Sequence, residues 1–586
     1  MGLGRQFLAT TGISDAWDID SEVLFLGPWC LADEKNRKLI EGRPCSIVVS
    51  PWKPAFKIET AAGLCREIYE EILRELSEQL NLLHGVSYPQ RYWRILVGPW
   101  LSHFIEILYE RYRRIENAFT VHQNAYTYIL PESLCELLTV DTYDFVSIRG
   151  KASDDYYNLK LFSLIARYFF PGRVAEKTIV PQTAGNKNIY SSGFAKKMFY
   201  GLKYLSNIFS QKEIILSDMY HVDWRQILML ESECRFNSVV FKNFDSQGPM
   251  NKNCYSRARR QGLKMGKTAD KFQNFLKELI PDAIPMCYVE YFNKYNSKVT
   301  TKNVKAVGSV TGWLFNEKFK FFAANSTLTD TVLLDFQHGG GYGMFLSLAE
   351  TISMEKDIFY TWGWRYENND KTVPLSSPHL SVLKDSYQKN NDGLLLFIGS
   401  GIHKYLCRFQ AAFAQDDMPQ YFLDKKRFVD GLDEPLRDRL LYRPYQEIGW
   451  GEIETVKKMI PGIKIFSDQG RAVNLIKKAK IVVIDHLSTS NLEVMAINAP
   501  TVWFWDHDNY IIRPEAETYF ELLRDVGILY KSPEDAAKKV NDIYDNPMKW
   551  WSDIKVQRAR NVFCERFAAA SNNWRDEWIE ALNEHR

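Results

Sequence analysis

Short apolar runs alternate with amphipathic stretches along this chain of 586 residues, most clearly in its last third. There the pattern predicts a strand over 394–398, a helix over 472–480, a strand over 481–485, a helix over 491–497 and a strand over 501–505. Strands that are apolar throughout are typical of parallel sheets, because crossover helices cover both faces of such a sheet. The pattern therefore predicts an α/β fold.

The first half of the chain shows similar strands with more helix between them. Apolar runs at 23–26, 214–216, 239–241 and 331–336 predict strands. A long amphipathic helix is predicted to end just before Gly85. Its apolar face carries Leu64, Ile68, Ile72, Leu76 and Leu80. We therefore expect large helical insertions in this half.

A polar segment at 366–392 separates the two parts and predicts a domain linker. We expect two Rossmann-like domains that face each other across a cleft. Residues 1–365 form the first, enlarged by helical insertions, and residues 393–586 form the second. The last helix, over 555–584, is expected to pack back on the first domain. Ligands of open α/β sheets bind beyond the carboxyl ends of the strands, so the cleft is the expected active site.

The charge balance argues against one class of partner. The chain has 74 Lys and Arg against 72 Asp and Glu, a formal net charge of +2. This balance provides no long-range attraction for a polyanion, so we expect no nucleic-acid partner. The densest basic cluster, around 252–267, includes Arg257, Arg259 and Arg260. It predicts either a solvated surface or a contact with lipid head groups or a pyrophosphate.

Cysteine usage and hydropathy predict the compartment. The nine cysteines are scattered without a CxxC pair, which favours reduced thiols over a disulfide frame or a zinc site. The sequence opens without a signal-peptide-like apolar block, and no run of about 18 apolar residues occurs in it. We expect a cytoplasmic protein without a cofactor, which contacts the inner membrane peripherally if its acceptor is lipid-linked.

A glycine-rich loop directly follows one of the predicted strands. The loop comprises Gln337, His338, Gly339, Gly340 and Gly341. Glycines let a backbone approach a ligand closely, and a helix predicted over 344–355 would direct its first amides toward an anion. His338 stands at the carboxyl end of the strand, where an imidazole with a pKa of about 6–7 accepts a proton from an attacking hydroxyl. We predict that His338 is the catalytic base; the alternative is a structural histidine in a turn.

A second loop carries hydroxyl groups at a predicted helix start. Ser488, Thr489 and Ser490 can bind a phosphate together with the backbone amides of the helix. Glu493, one turn later, can accept hydrogen bonds from ribose hydroxyls. A capping box, in which Ser490 pairs with Glu493, explains the same residues without a ligand. The spacing leaves both interpretations open.

Two further motifs concern phosphate and metal binding. Arg443 can hold a phosphate through two hydrogen bonds, although a loop arginine is more commonly a surface ion-pair partner. Asp-x-Asp matches occur at 18–20 and 506–508, a spacing that some transferases use for a metal. Neither match has a further obvious ligand, so we predict no metal site.

Long aromatic and glycine motifs carry a family resemblance that extends over nearly the whole chain. They are Phe7-Leu8-Ala9-Thr10-Thr11, Phe25-Leu26-Gly27-Pro28-Trp29-Cys30, residues 91–101, Gln337-His338-Gly339, Tyr360-Thr361-Trp362-Gly363-Trp364 and Ser488-Thr489-Ser490-Asn491-Leu492-Glu493. In these motifs the chain resembles the transferases of bacterial O-antigen and surface-polysaccharide gene clusters.

More distantly, the pattern is similar to GT-B glycosyltransferases, including the capsule Kdo transferases and the teichoic-acid polyol-phosphate transferases. The resemblance implies a GT-B-like fold and metal-independent transfer of a sugar from a nucleotide-sugar donor to a glycan or lipid-linked glycan acceptor. It implies that His338 serves the reacting centre and that Ser488, Thr489 and Arg443 hold the donor's phosphate. Transfer of a polyol phosphate from a CDP-linked donor and 2-epimerisation of a nucleotide sugar are the alternatives.

Overall fold

The computed structural model describes residues 5–180, 213–234, 239–244, 252–297, 303–388, 393–466 and 470–585. Within these ranges all strand pairs are parallel, and the strands form three sheets. The predicted α/β class with parallel sheets is confirmed.

The first sheet lies entirely in the region that we predicted as one enlarged domain. Its strands are β1 (Gln6–Ala9), β2 (Glu22–Phe25), β3 (Cys45–Ile47), β4 (Ala125–Ile129) and β5 (Val174–Glu176). Their order is β3-β2-β1-β4-β5. The region that precedes residue 365 thus holds a separate sheet in addition to inserted helices. One of these strands, β2, coincides with the strand predicted at 23–26, and the other four are short strands that were not predicted.

The second and third sheets are the two that face each other. The second contains β6 (Ile214–Leu216), β7 (Val239–Phe241), β8 (Ala306–Ser309), β9 (Val332–Phe336), β10 (Ile358–Thr361) and β11 (Thr372–Pro374), in the order β11-β10-β9-β8-β6-β7. The third contains β12 (Leu395–Ile398), β13 (Leu440–Arg443), β14 (Lys464–Ile465), β15 (Ile481–Ile484), β16 (Thr501–Phe504) and β17 (Leu529–Tyr530), in the order β14-β13-β12-β15-β16-β17. The order of the third sheet reverses between β12 and β15, where α/β sheets bind ligands.

Helices cover both faces of the sheets. In the first half they are α1 (Glu34–Leu39), α2 (Phe56–His84), α3 (Gln90–Leu96), α4 (Gly98–Val121), α5 (Thr142–Val146), α6 (Asp155–Phe169), α7 (Trp224–Glu233), α8 (Arg257–Arg260), α9 (Lys271–Ala283) and α10 (Phe292–Asn296). The predicted long helix is α2, which ends at Gly85 in the left-handed conformation. None of the described helices combines the length and apolarity needed to cross a membrane.

The remaining helices lie between the strands of the second and third sheets and after them. They are α11 (Gly312–Phe315), α12 (Glu317–Ser326), α13 (Leu348–Ser353), α14 (Pro378–Leu383), α15 (Met418–Asp430), α16 (Glu434–Arg437), α17 (Glu452–Met459), α18 (Ala472–Ile476), α19 (Thr489–Ile497), α20 (Pro514–Asp525), α21 (Pro533–Ile543), α22 (Pro547–Trp551), α23 (Ile554–Phe567) and α24 (Trp574–Asn583).

The segment at 366–392 is more structured than a polar linker. It contains β11, which extends the second sheet, and α14, most of whose side chains are buried. The chain returns to this sheet at its end, because the Trp578 ring on α24 stacks on Phe336 with ring centroids 4.8 Å apart. Trp578 Nε1 also donates to the carbonyl of Ser376 at 2.9 Å. The division into domains at 365 and 393 stays a prediction.

The helix that we predicted over 344–355 begins later than expected, so its predicted start is wrong. Only Leu348–Ser353 is helical, as α13, and the preceding residues form turns. Gly341 and Gly343 have φ values of +90° and +71°, and this left-handed backbone cannot continue into a helix. The first amides of a helix therefore do not follow the glycine loop directly.

The basic cluster around 252–267 is partly structural. Arg260 is fully buried, and its Nε lies 2.7 Å from Oε1 of Glu290. Its Nη1 donates to the carbonyl of Ile284 at 2.7 Å. Arg257 on the same short helix is exposed. The cluster is therefore not one continuous basic surface.

Candidate active site

The two predicted loops meet in the cleft between the second and third sheets. The backbone amide of Gly340, after β9, donates to Thr489 Oγ1 at the start of α19 over 3.0 Å. A Cβ atom on Gly340 would stand 2.5 Å from the carbonyl carbon of Ser488, so only glycine fits without displacing the backbone. A Cβ atom on Gly339 would likewise stand only 2.9 Å from Thr489 Oγ1. The loops therefore form one site.

His338 is half-buried at the carboxyl end of β9, and its Nδ1 lies 2.7 Å from the hydroxyl of Tyr342. Burial lowers the pKa of His338 to about 4, and the positive charge of Arg408 acts in the same direction against the opposing charge of Asp218. Our expected pKa of 6–7 is thus wrong, because an ordinary imidazole in water is not desolvated. At neutral pH the imidazole is uncharged, as a general base must be.

Gln337 fixes the shape of the glycine loop through hydrogen bonds of its buried side chain. Its side chain is buried, and Oε1 accepts hydrogen bonds from Trp362 N at 2.9 Å and Trp364 Nε1 at 2.8 Å. Its Nε2 donates to the carbonyl of Gly339 at 2.7 Å. Because all of these groups are engaged, Gln337 acts as a support of the loop and its side chain does not enter the cleft as a ligand group.

The start of α19 is capped differently from our prediction. Ser488 is the N-cap, and its Oγ accepts from the amide of Ser490 at 3.3 Å. Asn491 closes the box by accepting from the amide of Ser488 at 2.8 Å. The predicted pairing of Ser490 with Glu493 is wrong, because the helix begins one residue after Ser488. Glu493 therefore has no capping role.

Glu493 instead contacts a histidine from the other side of the cleft. Its Oε1 lies 2.8 Å from His379 Nε2 on α14, and both side chains are buried. The ring of His221, which follows β6, lies 5.4 Å from that of His379. Burial, Arg471 and His379 lower the pKa of His221 to about 4. The sequence analysis missed both histidines, since neither adjoins a recognisable motif.

Arg443 ends β13 beside the same residues. It is half-buried, its Nη2 donates to the carbonyl of Gly470 at 3.2 Å, and its buried Nε has no partner among the described residues. Burial lowers the pKa of Arg443, which the nearby charge of Glu493 opposes. A guanidinium held in this way keeps donors free for a ligand.

A comparison with protein families identifies the family of this chain. The family of LIC12162 family transferases matches residues 6–582 of the chain. The chain belongs to the LIC12162 transferase family. No curated protein matches it.

Several solved structures are similar to this transferase at low identity. A variant of the wall teichoic acid polymerase TagF with CDPG is 10% identical, covers 67% of this chain and 98% of its own, and has a TM-score of 0.32. A trehalose 6-phosphate synthase from Burkholderia multivorans is 10% identical, covers 64% of this chain and 96% of its own, and has a TM-score of 0.34. S. aureus MnaA with UDP is 9% identical, covers 64% of this chain and 96% of its own, and has a TM-score of 0.37.

A buried ion pair supports the third sheet of the transferase beneath the site. Asp485, which follows β15, pairs with Lys425, and its Oδ1 accepts from the hydroxyl of Tyr421 at 2.7 Å. Although burial acts to raise it, the pKa of Asp485 is lowered, because Lys425 and His486 stabilise the carboxylate. Tyr421 also accepts from the amide of Ser400 at 2.7 Å. This network holds the ends of β12 and β15 in place.

The two Asp-x-Asp matches serve local structure in the transferase. Asp18 accepts hydrogen bonds from the hydroxyls of Tyr126 and Ser21. Asp506 accepts from the amide of Asp508 at 3.1 Å, within a short turn. In the part of the chain that the structure describes, no group of three or more His, Cys, Asp or Glu side chains is placed to hold a metal ion.

Proposed function

We propose that this transferase moves a sugar from a nucleotide-activated donor to a glycan or lipid-linked glycan acceptor of an O-antigen or capsule. One observation supports this most: the His338 loop touches the first turn of α19, beside the free Nε of Arg443. A neutral imidazole and a guanidinium whose Nε has no partner among the described residues are thus close to the same crevice. Transfer from a phosphate leaving group needs a proton acceptor and a positive charge in this relation.

The donor is assigned to the third sheet. Arg443 and the first-turn amides of α19 would bind its phosphate, with the hydroxyls of Ser488 and Ser490 at hand. The Thr489 hydroxyl already accepts from Gly340 and serves mainly to join the loops. Glu493, next to Arg443, would accept hydrogen bonds from the ribose. These donors balance the charge of the leaving phosphate, so we propose that no metal is required.

His338 would accept the proton of the acceptor hydroxyl through Nε2. For this, Nδ1–H must donate to the phenolic oxygen of Tyr342, which lies 2.7 Å away. The phenol stays protonated, because burial raises the pKa of Tyr342 well above its usual value. The hydrogen bond then fixes the tautomer and the ring orientation, and Nε2 keeps its lone pair.

A donor panel tests this proposal. UDP-, GDP-, dTDP- and CMP-sugars and CDP-glycerol are titrated calorimetrically in EDTA into the native protein and Arg443→Gln. A charge-assisted phosphate hydrogen bond is worth about 1.5–3 kcal/mol, so Arg443→Gln should weaken donor binding about ten- to a hundredfold. The exposed Arg558→Gln is the matched control and should bind normally.

Four results would contradict the proposal. Equal donor affinity of the native protein and a folded Arg443→Gln would remove Arg443 from the site. Transfer from CDP-glycerol alone would make the reaction polyol-phosphate transfer, and conversion of a UDP-sugar without acceptor would make it epimerisation. A requirement for added Mg²⁺ would overturn metal independence.

A further inference from the structure

A cavity opens next to the cleft of the candidate active site, on the side of the first sheet. It has a volume of about 400 Å³ and lies beyond the carboxyl ends of β12 and β13. Helices α4 and α5, which belong to the region of the first sheet, form its opposite wall. Its polar lining includes His103, His403, Arg408, Gln410, Gln415 and Tyr445. We call it the Arg408 cavity.

Among the described residues, no carboxylate pairs with Arg408. The side chain is half-buried, and its one hydrogen bond among the described residues is a long one, 3.4 Å from Nε to Gln410 Oε1. No aspartate or glutamate of the described residues lines the cavity. The nearby Glu106 does not supply a negative charge at neutral pH, because burial raises its pKa to about 8. A desolvated cation without a counter-ion is costly unless a ligand anion completes it.

Three successive residues after β12 line the same space. Gly401, Ile402 and His403 follow β12 and line the cavity, and within the described residues no hydrogen bond engages their amides. A Cβ atom on Gly401 would stand 2.8 Å from the Tyr445 ring, so the loop is built tightly around a glycine. Successive unpaired amides beside a guanidinium form an anion-binding concavity.

The Arg408 cavity is close to the reacting centre and adjoins the donor residues at the end of β13, where Tyr445 lines it two residues after Arg443. Arg408 is near enough to His338 for its charge to lower the pKa of that imidazole. The donor phosphate is assigned to Arg443 and α19, at the ends of β13 and β15. The wall formed by α4 and α5 belongs to the part of the chain that we predicted as the acceptor side.

We infer that Arg408, with the amides of 401–403, binds an anionic group of the acceptor, a phosphate or a carboxylate, and thereby presents the acceptor hydroxyl to His338. This inference rests on the proposed function and narrows its acceptor to an anionic glycan or a phosphate-bearing one. Arg408 is a substrate-binding residue in this scheme, and the proton is still taken by His338.

Inorganic phosphate tests the anion site without any transfer assay. It is titrated calorimetrically into Arg443→Gln, in which the donor site is weakened, and into the same variant with Arg408→Gln added. The added change should weaken phosphate binding about ten- to a hundredfold, as expected for a lost charge-assisted contact. Arg558→Gln in the same background is the control, and circular dichroism verifies folding. Arg408→Lys keeps the charge and should lose less affinity.

Glucose 1-phosphate and glucuronate then distinguish the source of the anion, since tighter binding of one identifies a phosphate or a carboxylate. With a donor in hand, Arg408→Gln should raise the acceptor KM at least tenfold and leave donor affinity unchanged. Phosphate affinity independent of Arg408 overturns the inference, even if no transfer is ever observed. A loss of donor affinity as large as that of Arg443→Gln also overturns it, because Arg408 would then serve the donor.

Discussion

Two regions of this molecule differ in whether their buried or half-buried arginines are paired with carboxylates. Between the first and third sheets, Arg111 and Arg114 on α4 are almost fully buried and flank Glu110, which pairs with both. Arg114 also pairs with Asp416 at 2.7 Å, and Arg111 Nε donates to Asn158 at 2.9 Å. We call this group the arginine belt.

In the cleft, Arg443 and Arg408 are half-buried and have no carboxylate partner among the described residues. The residues of the belt are more deeply buried and carry more charge than those of the cleft, so burial alone does not mark a binding site. What distinguishes the cleft is donors left without acceptors. A desolvated charge that is paired with a counter-ion inside the protein is structural. A desolvated charge without such a partner is available to a ligand.

The largest effect is expected where the belt is broken. Glu110→Gln would leave Arg111 without a carboxylate partner among the described residues and Arg114 with Asp416 alone. Removing one partner of a buried ion pair costs about 3–5 kcal/mol. We expect the free energy of unfolding, measured by chemical denaturation, to fall by that amount. Glu116→Gln on the same helix breaks only a partly exposed pair with Arg113, and should cost less than about 1 kcal/mol. Similar losses for the two would mean that the belt is not structural.

The next effect concerns the open region. His338→Gln should lower turnover about 10²–10⁴-fold, because Gln keeps a hydrogen-bonding group but cannot accept the proton. Donor affinity, measured by calorimetry, should stay unchanged, since the donor is assigned to the third sheet. A Gln variant with near-native turnover would show that His338 only positions the substrate.

The pH profile of the native enzyme sharpens this test. A base works when deprotonated, so activity is lost as pH falls through its pKa. The pKa of His338 is about 4, and the profile of kcat/KM should therefore be flat from about pH 8 down to about pH 5. Arg408→Gln removes a charge that opposes protonation, and should shift the acid limb to higher pH. An acid limb near pH 6.5 in the native enzyme would contradict this assignment.

The smallest effect separates ligand binding from capping within one helix. Glu493→Gln should lower donor affinity about three- to tenfold, as for one lost hydrogen bond, and leave the melting temperature nearly unchanged. Asn491→Ala removes the observed cap and should cost about 1 kcal/mol of stability. If Glu493→Gln changes only the melting temperature, Glu493 belongs with the structural residues.

Part of this site was predictable because its residues adjoin regular patterns. His338 and Ser488 each follow an apolar strand, and parallel strands bring their carboxyl ends to one edge. Their meeting across the cleft, through Gly340 and Thr489, agrees with that expectation. The boundaries of β12, β15 and β16 were also predictable within one residue, since long apolar runs have few alternative placements.

The rest depends on tertiary contacts that local patterns do not encode. His379 lies in the polar segment that we predicted as a linker, and only the packing of α14 brings it to Glu493. Arg408 follows no strand and is notable solely for the counter-ion that the fold does not provide. In the first sheet only β2 coincides with a predicted strand, at 23–26. The strand β3 is exposed along its whole length, so no apolar run marks it. The pKa of His338 likewise reflects burial by distant segments.

The contact of Gly340 with Ser488 also constrains how this protein can vary. Any side chain at 340 meets backbone from another sheet at 2.5 Å, and backbone cannot swing aside as a flexible side chain can. Gly63 on α2 has nothing within 4 Å of its missing Cβ, and alanine there would favour the helix. Two glycines in one chain thus have opposite tolerance. A side chain at 340 would have to displace the start of α19 whichever residue stands at 488, so position 340 requires glycine.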